Sequence, residues 1–312
     1  MNWWHGTGLL PPTFAEGMVY YETARFLTAV YGTLVIVVAF LIGAEFDRRI
    51  GIVAAALFAV NPLYVHDAHI ARSDDLHLLF TMLVVLFLVR YLKHGGVRAL
   101  IVAAACAGLS VSAKYPGAFN CLLVAAAIVL RNPGRGASLL RETAISAGAF
   151  LAALFGSAPY LFLRFPLLLE VFRRETRGRQ AGMEILGFGG NLQYYVGDLL
   201  ALTNVPLLLF AAVGAYAALE RYGKPALPLF FGLLYWVLLS ALALHWRRWG
   251  YPMYATPLLL AAFGLVLPLQ RLLEIRARGP RVACVAAWAA LVVATVAYPL
   301  LARGFAVIAE LR

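Results

Sequence analysis

Ten continuous apolar runs constrain this chain more than any other feature. They lie near 26–44, 50–65, 76–92, 97–112, 117–130, 143–163, 203–219, 225–244, 252–270 and 281–301. A helix needs about 20 apolar residues to cross the ~30 Å hydrocarbon core of a bilayer, and most of the runs approach that length. Transmembrane strands would alternate apolar and polar residues, and these runs do not. The expectation is an all-α, polytopic helical membrane protein of about ten spans, forming a single transmembrane domain over 1–312. Short runs such as 117–130 would be tilted or extended into their flanks.

Composition agrees. Hydrophobic residues fill 63% of the 312 positions and charged residues 13%, against about half and a quarter in soluble domains. The longest polar stretch, about 164–202, is too short for a soluble domain and is expected to be an extracytoplasmic loop. Cys106, Cys121 and Cys284 lie in apolar runs, give neither a disulfide framework nor a zinc-type spacing, and read as small packing residues. No cleavable signal peptide is expected, because Trp3, Trp4 and His5 lead into a Pro pair with no basic flank or apolar core.

The net charge of +11 comes from 23 Arg and 3 Lys. In a soluble chain it would suggest nucleic acid; here the positions argue otherwise. Alternating the spans collects the loops near 45–49, 93–98, 131–141, 221–224 and 271–281 on one side, and with Arg90 they carry 14 of the 26 basic residues. By the positive-inside rule this side faces the cytoplasm. The other side collects 61–76, 112–117, 164–202 and 245–257. Arg164, Arg173, Arg174, Arg177 and Arg179 run against the topological bias there. They fit an amphipathic helix on anionic headgroups or a grip on phosphate at the membrane surface.

The stretch from Asn61 to Thr81 packs His66, Asp67, His69, Arg72, Asp74, Asp75 and His77 between two apolar runs. Ionisable groups at a membrane boundary are costly and mark function. Pro62 ends the preceding span, and Asp74 with Asp75 open the next, where acidic side chains favour a helix N-terminus. Capping explains one carboxylate, not seven polar groups. His66, His69 and His77 with Asp67 and Asp74 offer a rival reading, a zinc or other divalent-cation site in which His66 and His69 would share a helical face. The Pro argues for irregular chain, so that geometry lacks support. Trp246-Arg247-Arg248-Trp249 fits either an interfacial anchor or a phosphate contact.

Ala71-Arg72-Ser73-Asp74-Asp75-Leu76 through Leu88-Val89-Arg90-Tyr91-Leu92 resembles the second-outer-loop signature of glycosyltransferase family 39, the dolichyl-phosphate-mannose protein mannosyltransferases and aminoarabinose-type transferases. Ala24-Arg25-Phe26 to Gly32-Thr33, Gly108-Leu109-Ser110 to Lys114-Tyr115-Pro116-Gly117, and Arg248-Trp249-Gly250-Tyr251-Pro252 to Pro257 resemble further elements of that family, in family order. The resemblance implies a GT-C-like fold and a glycosyltransferase moving a hexose or pentose from a polyprenyl-phosphate donor to a lipid, glycan or protein acceptor. It implies an extracytoplasmic site in a bacterial-type inner membrane, with membrane lipids as further partners and no required cofactor. Such chemistry needs a carboxylate toward the acceptor and cations toward the departing phosphate. Asp74 matches the family's second-loop Asp and is assigned an accessory role beside Asp75. Arg72, Lys114, Tyr115, Arg247, Arg248 and Tyr251 are the candidates for lipid phosphate and substrate.

The family's main catalytic Asp, usually Asp-Glu after the first span, has no counterpart here. Asn2 to Phe14 looks like the tail of that loop, so the chain is expected to be truncated at its N-terminus. Of the acids ahead of the first run, Glu16 and Glu22, the latter is expected to pair with Arg25 one turn on. A transporter or flippase, or an inactive membrane relative, is the alternative. Transporters commonly carry internal repeats and interrupted helices, and no repeat is visible.

Overall fold

The computed structural model describes residues 14–175, 185–275 and 278–310. The chain is helical, with no strand among the described residues. It opens with a hairpin of α1 (Phe14–Ala44) and α2 (Arg48–Val60). Asp47 caps α2, its side chain accepting from Arg49 N at 2.7 Å. Pro62 lacks the N–H that would continue the helix, and Asn61 closes the gap by accepting from Leu63 N at 3.1 Å. The run expected at 50–65 is therefore split into α2 and the short α3 (Pro62–Asp67).

Next come α4 (Asp74–His94) and α5 (Val97–Ala113), a 3-10 turn at Tyr115–Phe119, then α6 (Asn120–Arg131) and α7 (Gly136–Ser157). After these come α8 (Tyr160–Leu163), α9 (Phe165–Glu175), α10 (Gly187–Leu202) and α11 (Val205–Tyr222). A 3-10 segment, Lys224–Phe230, leads to α12 (Phe231–Ser240), and a second, Arg247–Trp249, precedes α13 (Ala255–Leu273). The last pair, α14 (Arg278–Val292) and α15 (Tyr298–Glu310), is joined by a π-helical turn at Val293–Ala297. The stretch expected as the 164–202 loop thus contains α9 and α10, while Arg177 and Arg179 lie outside the described residues, as does the Trp3–Trp4 segment.

Six helical segments are long and apolar enough to cross a membrane: Val19–Ala44, Asp74–His94, Gly136–Ser157, Val205–Tyr222, Ala255–Leu273 and Gly279–Ala306. Val97–Ala113, Tyr115–Arg131 and Lys224–Ser240 are shorter apolar helices. Of the ten expected spans, six are thus long enough to cross, three are shorter apolar helices, and the 50–65 run is the broken α2–α3 unit. The protein is an integral membrane protein, and the distribution of burial fits lipid. Leu151, Phe155, Leu209, Leu233 and Phe305 are all exposed, a surface that water would not tolerate.

The two most buried helices, α4 and α13, form the centre of the bundle. Around them Val35, Ile42, Ile50, Phe58, Leu78, Met82, Val85, Tyr235, Leu259 and Phe263 make a continuous core. α11 crosses α13 at Gly214 and Gly264, where a Cβ on either would strike the opposite backbone at Leu260 O or Phe210 O. Small residues allow such close approach, and in lipid that packing holds helices together.

The loops sort to two ends as the charge pattern expects. At one end Arg90 Nε donates to Glu45 at 2.6 Å, Arg131 reaches the Tyr91 carbonyl at 3.1 Å, and Lys224 reaches the Leu130 carbonyl at 3.0 Å. Gln270 links Arg221 at 3.2 Å to Asp47 at 2.8 Å. The other end joins 61–76, 112–117 and 245–254.

Candidate functional site

Three segments build the second end. Ser73 precedes α4, so Asp74 and Asp75 occupy its first turn, where the exposed N–H groups and the helix dipole favour negative charge. Lys114 caps α5 in extended conformation, which turns the chain into the Tyr115–Phe119 segment and aims the ammonium back at α4. The 3-10 turn Arg247–Trp249 brings Tyr251 over the same place.

Lys114 Nζ forms an ion pair with Asp74 and donates to the Arg248 carbonyl at 3.2 Å. Tyr251 OH donates to Asp75 Oδ1 at 2.6 Å, and Tyr64 OH donates to the Tyr251 carbonyl at 3.3 Å. Asp74 is 3% and Asp75 1% exposed. The second oxygen of Asp75 is buried with no hydrogen-bonding partner among the described residues. Tyr115 packs edge-on against Trp249, centroids 5.8 Å apart. Asp74, Asp75, Lys114, Tyr115, Tyr251 and the backbone of Arg248 therefore come together, although the sequence scatters them over more than 170 positions, Asp75 and Tyr251 being 176 apart.

Arg72 and Arg248 are exposed beside this cluster. Among the described residues no carboxylate oxygen lies within 4.0 Å of either guanidinium. Arg248 stacks over Trp246 at 5.0 Å, a cation–π contact that holds the fork while leaving its donors outward. Arg247 behaves differently. Its Nε and Nη2 donate to Asp198 Oδ1 at 3.0 and 2.8 Å, and Tyr254 OH donates to Asp198 Oδ2 at 3.3 Å. Arg247 is thus committed to an internal carboxylate and is a weaker phosphate candidate than Arg248. Asp198 was missed in the sequence. The signal was available: it is the one charged residue in the α10 run Gly187–Leu202.

Burial shifts the groups outside the spans. The Asp67 carboxyl is raised above the ordinary carboxylate value by burial, with the His66 hydrogen bond opposing. The Lys114 ammonium is lowered by burial, against the opposite pull of Asp74. The Tyr251 hydroxyl is held well above its usual value by burial and by the charge on Asp75. Each follows from the cost of charge in a low-dielectric site.

The histidines do not converge. His66 Nδ1 lies 2.9 Å from Asp67 Oδ1, His69 Nδ1 donates to the Val65 carbonyl at 2.6 Å, and His77 turns into the bundle toward Ser110 Oγ at 2.9 Å. Among the described residues no three His, Cys, Asp or Glu side chains are placed to hold a metal ion. The Glu22–Arg25 pair does not form either. Arg25 Nε donates to the His69 carbonyl at 2.8 Å and its guanidinium sits over Tyr21 at 5.9 Å.

A cleft of about 220 Å³ opens next to the carboxylates between α1 and the α3–α4 segment. Gly32, Ile36, Tyr64, Ala68, His69 and Asp75 line it. The end as a whole offers a half-partnered buried carboxylate on a cleft, an ammonium shared between a carboxylate and a carbonyl, and two outward guanidinium groups.

In its backbone course the chain is a helical membrane protein of the GT-C fold. It is similar to ArnT from Cupriavidus metallidurans bound to undecaprenyl phosphate, with a TM-score of 0.60 and 16% identity over 92% of this chain and 59% of that one. The apo form of the same protein gives 0.57, with the same identity and coverage. An oligosaccharyltransferase from Archaeoglobus fulgidus, in complex with zinc and sulfate, gives 0.55 and 16% identity over 91% of this chain and 41% of that one. The chain spans about three-fifths or less of these proteins. No curated protein matches it in sequence. Residues 18–163, just under half of the chain, match the model of the dolichyl-phosphate-mannose-protein mannosyltransferase family. The match contains Asp74, Asp75, Lys114 and Tyr115; the Arg247–Tyr254 segment falls outside it and is brought to them by the fold.

Proposed function

We propose that the chain transfers a glycosyl group from a polyprenyl-phosphate sugar to an acceptor, at the end of the bundle where Asp74, Asp75, Lys114 and Arg248 meet. The basic loops gathered at the opposite end support a site on the extracytoplasmic face, and the reading takes the membrane to be a bacterial-type inner membrane. The carrying observation is the Lys114 bridge, which holds a cation at the membrane edge between Asp74 and the Arg248 carbonyl. The similar ArnT structure is bound to undecaprenyl phosphate, which supports a polyprenyl-phosphate ligand for this chain.

In this reaction the bond from the anomeric carbon to the phosphate oxygen breaks, and the acceptor heteroatom takes the carbon and loses a proton. Lys114, Arg72 and Arg248 hold the phosphate and stabilise the charge that gathers on it as it leaves. Arg248 and Arg72 suit that task because a guanidinium fork can bind two phosphate oxygens. Tyr115 and Tyr251 border the substrate. Asp75, which lines the cleft, receives or orients the acceptor proton. Asp74 acts as the accessory carboxylate that keeps Lys114 in place.

The test measures polyprenyl phosphate released from labelled polyprenyl-phosphate pentose and hexose donors in membranes carrying the chain in full-length form. The wild type releases it, and Asp74→Asn and Lys114→Ala do not, at equal expression. Equal release in all three sinks the site assignment; no release from any donor by the wild type sinks the transfer reading.

A further inference from the structure

The opposite end of the bundle carries a second concavity that glycosyl transfer does not use. It is a hollow of about 280 Å³ lined by Leu92, Leu130, Arg131, Asn132, Arg135 and Lys224. Its three cations come from three separate places: the last residue of α6, the turn after it, and the start of the Lys224–Phe230 segment. Positive-inside residues need only lie in loops; they need not converge. Here the fold makes them converge.

The convergence is built into the backbone. α4 ends at Gly95, whose φ of +82° is a conformation few L side chains adopt. A Cβ at that position would collide with the Arg131 guanidinium. Glycine thus both closes α4 and opens the path along which Arg131 reaches the Tyr91 and Leu92 carbonyls, at 3.1 and 3.3 Å. A second left-handed glycine, Gly134 (φ +72°), reverses the chain after α6 and returns Arg135 to the rim.

The positive charge is not cancelled locally. Among the described residues no carboxylate oxygen lies within 4.0 Å of Arg131, Arg135 or Lys224. The neighbouring Glu142 forms no ion pair with these three cations among the described residues and instead accepts from Tyr91 OH and Asn132 Nδ2, both at 2.5 Å. Arg131 and Lys224 direct one nitrogen each to carbonyls, and an arginine has five N–H donors and a lysine three. Several charged donors therefore point at one polar hollow at the level where α4 and α6 leave the apolar layer.

We propose that this hollow binds the phosphate group of an anionic ligand. Its place at the helix ends fits a phospholipid headgroup of the basic-loop leaflet, and the same donors would take a soluble phosphate. The site is separate from the Asp74–Lys114 end and does not depend on the transfer reaction.

The experiment uses the full chain in detergent, titrated with short-chain phosphatidylglycerol, phosphatidylcholine of the same chain length, or sodium phosphate. Binding is read as the rise in unfolding temperature. Arg135→Gln removes a side chain that makes no hydrogen bond or ion pair among the described residues, and Lys224→Gln is added to it. Arg98→Gln, an exposed cation at the same end but outside the hollow, is the control. Phosphatidylglycerol is expected to bind the wild type and to weaken by about five-fold for each charge removed from the hollow, with Arg98→Gln unchanged. That pattern without a response to sodium phosphate assigns the site to lipid; the same pattern with sodium phosphate assigns it to a soluble anion. No binding of either, an unchanged Arg135→Gln/Lys224→Gln variant, or an equal loss in Arg98→Gln overturns the proposal.

Discussion

At the basic end of the bundle, Glu45 is shared among Arg90 at 2.6 Å and Lys93 and His94 at 3.7 Å. At the other end, Asp74 has Lys114 and Asp75 has Tyr251, and both carboxylates are almost fully buried. The first arrangement sets Arg90, Lys93 and the His94 ring around one partly buried carboxylate, so losing one leaves others to compensate. The second is sparse and dry, so losing one partner strands a charge. An exposed ion pair contributes under about 1 kcal/mol, whereas removing one member of a buried pair costs about 3–5 kcal/mol.

The largest effect is expected for Lys114→Ala, which should destabilise the fold by about 3–5 kcal/mol as well as abolish transfer. Denaturant unfolding in detergent checks the first effect. The double variant Asp74→Asn with Lys114→Met should recover most of that stability without recovering transfer, which separates holding the fold from acting on phosphate. Tyr251→Phe comes next. It removes a hydrogen bond to a carboxylate, a loss of about 1.5–3 kcal/mol, and should lower transfer in the same assay. If Tyr251→Phe unfolds no earlier than wild type, the burial of Asp75 carries less than the comparison claims.

Asp67 sharpens the comparison through pH. Its folded carboxyl value is raised, so the folded state holds the proton more tightly than the unfolded one. The stability this provides is full below the unfolded carboxylate value of about 4 and is lost as pH rises through the raised folded value. Asp67→Asn should flatten that part of the stability curve and make the protein more stable than wild type at neutral pH. Melting curves at stepped pH test it, and an unaltered slope would contradict the assignment. The smallest effect is expected at Glu45→Gln, about 1 kcal/mol or less, with transfer unchanged. A loss there matching that of Lys114→Ala would erase the distinction between the ends.

The apolar runs made the helices legible, because length and continuity of apolar residues are local properties. Pro62 was legible as an ending, yet the apolar residues beyond it masked how short α2 is. Asp74 and Lys114 could each be singled out, as charges at span ends and by resemblance. Their pairing across 40 residues could not, since sequence separation carries no distance. Spacing misled at Glu22 and Arg25, where a helical neighbour loses to a carbonyl 44 residues away. At His77 spacing gave no direction, and one turn of α4 carries the ring inward to Ser110. Asp198 was hidden because 164–202 was read as loop; only the fold makes it the partner of Arg247.

The Lys114 bridge also has a consequence in time. Arg248 is 134 residues beyond Lys114, and a ribosome adding about 5–20 residues per second takes roughly seven to twenty-seven seconds to reach it. During that interval the nascent chain contains Asp74 and Lys114 but has neither the Arg248 carbonyl nor Tyr251 to set above the carboxylates. The order of synthesis makes the family-matched part wait for the unmatched part, and the two become one site only when the second has been inserted.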